Sequence, residues 1–398
     1  MKKKLLLFGA GKIGRSFIAQ IFSKEGYEIV FVDISQSLVD QLNQAGKYPV
    51  YIKDKVEETL WVENVRAIHS SHQEEVIEEI SQCQLIAVSV GRIGLPAISQ
   101  VLAKGINRKF QHSPQEKTDI VVAENLRDSD RFMKKEIMQY LPADFPFGKL
   151  VGLLETSIGK MVPIIPEDLL LQDPLAVYAE AYNTLIVSAG FSNPAPEVNA
   201  LSLKKNIKAW VDRKLFIHNL GHSVAAYVGN FLHPHKVFIY EVLEDEKVES
   251  LVRGAMQEAA QALQSIYPGE FSNEHLEQHI DDLLSRFKNI ALGDTVFRVG
   301  CDLERKLSYD DRFMSPLRHA RQFNLKHSNI AKGYFCSLHF KATSDQGYRF
   351  PKDIEIVEEF QQLGIEHVLK KYSGLKPREA AEITIEMKFD PNESKNKR

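Results

Sequence analysis

Near its start the chain reads KKLLLFGAGKIGRSF, a short apolar run that breaks into Gly9-x-Gly11-x-x-Gly14. Few patterns constrain a fold as tightly. The first glycine permits a tight turn, the second lets a pyrophosphate approach the backbone, and the third lets a helix pack closely on a strand. A helical pattern follows (Ile13, Phe17, Ile18, Ile21, Phe22), and then YEIVFVD reads as a second strand. A phosphate would rest on the helix N-terminus, where unpaired N–H groups and the dipole favour anions. Gly9, Gly11, Lys12, Ile13 and Gly14 are therefore the expected cofactor-binding loop. Asp33 ends the second strand. An acid there accepts hydrogen bonds from ribose hydroxyls and repels a 2′-phosphate, which points to NAD rather than NADP.

Strand and helix signals alternate through the first half. LLLFGA, EIVFVD, LIAVSVG, DIVVAEN and KLVGLLE read as strands, with helices near 13–25, 35–45, 94–104 and 127–140. This pattern predicts an α/β fold, a Rossmann-type doubly wound parallel sheet. Ligands of such sheets bind outside the carboxyl ends of strands, so Ser89, Val90 and Gly91 are expected near the cofactor. Asn125 either orients nicotinamide or substrate, or simply caps the next helix. The run Ser192-Asn193-Pro194-Ala195-Pro196 breaks the rhythm. The expected domains are 1–195, binding NAD, and 196–388, mostly helical, with a solvated tail at 389–398. Helical periodicity marks 201–232, 244–266, 273–287 and 353–372.

In the second half, VDRKLFIHNLGHSVAAYVG sets Lys214, Asn219 and His222 in a K-x4-N-x2-H pattern. On one α-helix, His222 lies about 80° and Asn219 about 140° around from Lys214. Amide and imidazole can fix and polarise one oxygen, while a desolvated lysine gives or takes its proton. Taken alone, three such residues on an amphipathic helix are usually a solvated flank. Further on, Arg298, Arg305, Lys306 and Arg312 are either a surface patch or a clamp for the phosphate or carboxylate of a substrate. His218 and His222 are spaced i, i+4, but no H-E-x-x-H pattern or cysteine set accompanies them, so no metal is expected.

Composition excludes more than it suggests. The length of 398 residues suits two domains, and a net charge of −3 gives no reason to expect nucleic acid or an anionic membrane. Three scattered cysteines indicate neither a disulfide framework nor a zinc site. No apolar run reaches transmembrane length, and the basic opening leads straight into the glycine loop rather than a signal peptide. A cytoplasmic enzyme, monomeric or homodimeric, with a small-molecule substrate is the expectation.

Taken together, FGAGKIGRSF, the Glu124-Asn125 pair, the Lys214–His222 stretch and RVG-x4-RKLS-x-x-DR resemble the polyol-specific long-chain (mannitol) dehydrogenase family, from Leu5 to about Lys371. The resemblance implies zinc-free hydride transfer between NAD and a sugar alcohol. Lys214 would be the catalytic lysine, Asn219 and His222 would hold the reacting oxygen, and Arg298, Arg305, Lys306 and Arg312 would lie in a substrate-binding segment. Mannitol 1-phosphate and fructose 6-phosphate are the expected pair. Reduction of a hexuronate or oxidation of another polyol are the alternatives inside the family. Two positions depart from its pattern. Ile158-Gly159-Lys160 stand where Val-Asp-Arg is common, and Ser16 where Gly is common. The first departure leaves room for a non-catalytic NAD-binding sensor.

Overall fold

A computed structural model describes residues 3–387 apart from Lys55 and Pro166. The expected tail at 389–398 lies outside the described residues. The chain forms two compact units, Met1–Val211 and Asp212–Arg398.

The strands of the first unit are β1 (Lys4–Phe8), β2 (Glu28–Asp33), β3 (Tyr48–Ile52), β4 (Glu58–Val62), β5 (Val65–His69), β6 (Leu85–Val88), β7 (Thr118–Val122), β8 (Val151–Ser157), β9 (Val177–Ala179), β10 (Leu185–Ser188) and β11 (Leu201–Lys204). Among the described residues, eight of them form one sheet in the order β11-β10-β8-β7-β6-β1-β2-β5. All neighbours are parallel except β10 and β8. Apolar side chains alternate between two cores. Leu5, Leu7, Ile29 and Phe31 face one, while Leu6, Phe8, Val30 and Val32 face the other. A strand buried on both faces must be apolar throughout, which is why these segments read as unbroken hydrophobic runs. The chain leaves β1 for β2 on one side, and β6 flanks β1 on the other. The carboxyl ends of β1 and β6 therefore form the switch point of the sheet, where an open α/β sheet binds its ligand.

Several features differ from the sequence-based expectation. The helix after the glycine loop opens as a wide π turn, Gly14–Ala19, before Gln20–Ser23 continues as α-helix. A separate sheet, β4-β3-β9, was not marked by the alternation of strands and helices. Leu201–Lys204 is a strand rather than the start of a helix, because it adds to β10 in parallel register. That return to the sheet places the division between the units at Val211 and Asp212, beyond the proline-rich break at 192–196. The expected helix at 353–372 is two helices, Pro351–Leu363 and Ile365–Lys371, separated at Gly364 with φ +80.

Among the described residues the second unit has helices and no strand. Its centre is Leu220–Leu232, buried on nearly every side. A helix can be apolar all round only inside a core. Gly221 and Gly229 make this possible, since a Cβ on them would collide with Met256 and Val242. Glu246–Ile266 and Asn273–Phe287 begin with side-chain caps from Asp245 and Ser272.

Candidate active site

The first unit fits a dinucleotide at the switch point. Gly9 has φ +94, and a Cβ there would collide with the Ser89 carbonyl oxygen. A Cβ on Gly14 would collide with the Gly9 carbonyl oxygen. Only glycine allows that close packing. Gly11 is different, because nothing lies within 4 Å of where its Cβ would be. It lines a cleft of about 640 Å³ together with Gly9, Asp33, Ser89 and Val90. A bare backbone facing an open cleft is what a pyrophosphate requires. Asp33 accepts the Ala10 N–H (2.7 Å) on one oxygen and the Ser35 N–H (2.9 Å) on the other. Each oxygen keeps a lone pair, so the carboxylate is held in place while able to take ribose hydroxyls. Lys12 is exposed and Ile13 half-buried at the start of the helix.

Glu124 has a role not evident from the sequence. One of its oxygens accepts both the Val90 and Gly91 N–H groups, each at 2.7 Å. This carboxylate ties the end of β7 to the loop after β6, where Gly91 takes φ +77. Burial pushes its pKa up, and the two N–H groups oppose that. Asn125, next to it, is exposed. The helix Ser129–Met138 receives no side-chain cap from the residue before it, and the buried Glu155 accepts the Ser129 N–H instead. The departure at Gly159-Lys160 is accommodated locally. Lys160 is buried, donates to Asn183 Oδ1 at 3.0 Å and lies 5.2 Å from the Phe17 ring centroid.

In the second unit the K-x4-N-x2-H stretch is not a uniform α-helix. Ile207–Arg213 passes into a π turn, Lys214–Asn219, and then into Leu220–Leu232. A π turn closes i to i+5, so each residue advances by roughly 80° rather than 100°. Asn219 then falls roughly 40° from Lys214, not 140°, and the two side chains share one face more closely than an α-helix allows. Single π turns of this kind recur at functional sites. Lys214 is half-buried, and burial followed by the Arg312 charge lowers its pKa to about 8. His222 stacks on Phe287, with centroids 4.5 Å apart and planes at 7°. Burial, then Arg298, Lys306 and Arg312, hold its pKa well below the ordinary imidazole value. Both influences favour the neutral ring.

The four cations of the basic segment do not act alike. Arg312 is buried and reaches the Asp311 carboxylate (2.8 Å), the Ser223 hydroxyl (3.3 Å) and the Asn219 carbonyl (3.5 Å). Lys306 is buried and donates to the Val299 carbonyl at 2.6 Å and to that of Cys301. It closes the C-terminus of the short helix Val296–Gly300, and burial with Arg312 nearby lowers its pKa to about 7. Arg305 pairs with Asp302 (2.5 Å) and Asp311 (3.5 Å), yet its side chain stays 48% exposed. Arg298 stays 45% exposed and pairs with Asp294. The segment is therefore partly half-exposed and partly internal scaffolding. Asp294 is the residue that sequence reasoning missed here. It is only 5% exposed, and its Oδ2 lies 3.2 Å from His222 Nε2. Its spacing of i, i+4 from Arg298 was the available signal.

Two family models match the chain, the mannitol dehydrogenase Rossmann domain over residues 3–200 and the mannitol dehydrogenase C-terminal domain over 206–379. The chain belongs to the mannitol dehydrogenase family. Members are dehydrogenases of polyol CH–OH groups, so this mannitol dehydrogenase homologue is an oxidoreductase. Its fold is similar to that of Pseudomonas fluorescens mannitol 2-dehydrogenase, solved as a ternary complex with NAD and D-mannitol. That match has 13% identity and a TM-score of 0.75, covering 97% of this chain and 90% of that one. It is also similar to a substrate-free D-sorbitol dehydrogenase, with 14% identity and a TM-score of 0.80, covering 97% and 92%. No helix among the described residues is long and apolar enough to cross a membrane.

Proposed function

We propose that this protein transfers hydride between NAD and a sugar alcohol, with Lys214 as the acid/base. The observation that carries the reading is the Lys214 ammonium, held down to about 8 on a π turn that also carries Asn219. Bound NAD supplies the hydride acceptor in oxidation and the donor in reduction. Gly9, Gly11, Lys12, Ile13 and Gly14 would hold its phosphates, Asp33 its ribose, and Ser89, Val90, Gly91 and Asn125 would line the remainder of its site. In oxidation the neutral Lys214 amine takes the hydroxyl proton, while Asn219 and His222 fix the oxygen on which charge develops. In reduction the protonated lysine returns that proton.

For the substrate, the reading is a sugar-alcohol phosphate, mannitol 1-phosphate, interconverted with fructose 6-phosphate. Arg298 and Arg305 support it, since both stay about half exposed and planar guanidinium groups suit phosphate. Lys306 and Arg312 do not add to the clamp. Their commitment to internal partners favours, as a second reading, a neutral polyol with only one or two cationic contacts. Lys214→Ala should abolish turnover while NADH binding stays nearly intact. Turnover that survives the substitution would overturn the assignment. A panel of mannitol, mannitol 1-phosphate, fructose, fructose 6-phosphate and hexuronates, followed by NADH absorbance, separates phosphate, neutral and carboxylate substrates.

A further inference from the structure

We propose that Asp294 is a positioning residue, which fixes the ring of His222 and makes Nε2 its protonated nitrogen. The inference rests on the reading of His222 as a residue of the substrate site, and it leaves Asn219 as the donor to the reacting oxygen. His222 stands on the helix Leu220–Leu232 with one face against Phe287. Stacking fixes the plane of the ring but not which nitrogen carries the proton. Asp294 supplies that missing constraint. Its backbone is held on both sides, by the Ile239 N–H donating to its carbonyl at 2.9 Å and by Val296 N–H donating to Val237 at 2.7 Å. Phe238 and Thr295 form an antiparallel bridge at the same place. The carboxylate is therefore delivered by a rigid segment, not by a loose loop.

The two oxygens of Asp294 have different partners. Oδ1 pairs with Arg298, which gives the buried carboxylate a cationic partner. Oδ2 faces His222 Nε2 at 3.2 Å, and both atoms are buried without an aligned hydrogen bond. A buried carboxylate oxygen and a buried ring nitrogen this close share one economical solution, a proton on Nε2 pointing at Oδ2 after a small rotation. A neutral ring has one donor and one acceptor nitrogen, so Nδ1 is then left with its lone pair. With Nδ1 an acceptor, His222 would hold the alcohol through a hydroxyl next to the reacting one, and the Asn219 amide would be the donor to the developing alkoxide. Arg298 joins the same carboxylate, so Asp294 also sets the direction of an exposed guanidinium.

The test uses the full chain labelled with ¹⁵N at histidine, in long-range ¹H–¹⁵N imidazole spectra, with the signal assigned by its loss in His222→Gln. The wild type should show one neutral tautomer protonated at Nε2, and Asp294→Asn should show a mixture. A wild-type ring that is protonated at Nδ1 or already mixed overturns the proposal, whether or not the variant folds. In kinetics, Asp294→Asn should lose about 10- to 100-fold in kcat, the scale seen when a supporting carboxylate is removed from a working histidine, with NADH binding unchanged. Arg298→Gln should leave the His222 tautomer as in the wild type. If Asp294→Asn slows turnover while the tautomer is unchanged, Asp294 acts through Arg298 alone and the proposal fails. If the wild type turns over no polyol, the functional reading fails, and the spectra still decide the case of Asp294.

Discussion

Replacing Arg312 by Gln isolates the electrostatic part of the activation of Lys214. Burial and the Arg312 charge together bring that ammonium from 10.5 to about 8. Near pH 7 this leaves about a tenth of the lysine neutral, against roughly one part in three thousand at the ordinary value, a gain of roughly 300-fold in free base. Burial is the larger cause and survives the substitution. Removing a like charge is worth roughly one pH unit, so the rate of polyol oxidation near neutrality should fall roughly tenfold. The replacing amide can still donate towards the Ser223 hydroxyl and the Asn219 carbonyl, which Arg312 holds at 3.3 and 3.5 Å. Oxidation needs the neutral amine, so its profile should keep its plateau but reach it at higher pH. Ketose reduction needs the ammonium, so near pH 7 it should be unaffected, and its decline should begin at higher pH. Initial rates in both directions across a pH series, read by NADH absorbance, measure this directly. An equal loss in both directions at every pH would refute the electrostatic account, because that is the signature of a disordered site.

Other outcomes follow from the same geometry. Gly11→Ala should fold with an unchanged Tm yet lose most NADH affinity in a fluorescence titration, because its Cβ meets only the open cleft. Gly14→Ala, whose Cβ meets the Gly9 carbonyl, should lower the Tm as well. Glu124→Ala should weaken NADH binding, while Glu124→Gln, which can still accept the Val90 and Gly91 N–H groups, should restore much of it. Glu155 is raised to about 7 by burial, with Asp130 adding to the effect. An acid with a raised folded value is fully favourable below its unfolded pKa, about 4.5, and that stability is lost as pH rises through about 7. Glu155→Gln should therefore raise the Tm by a few degrees above neutrality and leave it unchanged near pH 4, as calorimetry would show.

The two halves of the active chemistry were legible in the sequence to different depths. The dinucleotide site is local. Gly9, Gly11 and Gly14 are separated by a few residues; a Cβ on Gly9 or Gly14 would meet backbone, and one on Gly11 would meet only the open cleft, so the motif carries its own geometry. The K-x4-N-x2-H stretch suggested candidate residues but not their arrangement. Periodicity assumes 100° per residue, and nothing in KLFIHN announces the π turn that brings Asn219 round towards Lys214. Pairings across long separations were invisible. Glu124 reaches Val90 across 34 residues, and Asp294 reaches His222 from a segment fixed by Val237 and Ile239. β11 was missed for the same reason, since Leu201–Lys204 is a strand only because β10 is beside it.

The basic segment shows how burial divides a group of residues that charge alone treats alike. Four cations within fifteen residues suggest an anion clamp when only charge is visible. Burial separates them. Lys306 is tied to the carbonyls at the end of Val296–Gly300, and Arg312 lies under the helix that carries Asn219 and Ser223. A buried cation that is already hydrogen-bonded cannot also wrap a substrate phosphate without giving up those partners. It can still act at a distance, because charge is poorly screened where water is excluded. Arg312 helps to depress Lys214, and Arg298, Lys306 and Arg312 add to burial in lowering the pKa of His222. The inner pair is therefore left the tuning role alone; on the proposed reading the outer pair, Arg298 and Arg305, would meet the substrate, with Arg298 also acting on His222. On this division, neutralising Arg305 should raise the KM for a phosphorylated substrate without moving the pH profile, while neutralising Arg312 should move the profile. If both substitutions changed the same parameter, the division between tuning and binding would be wrong.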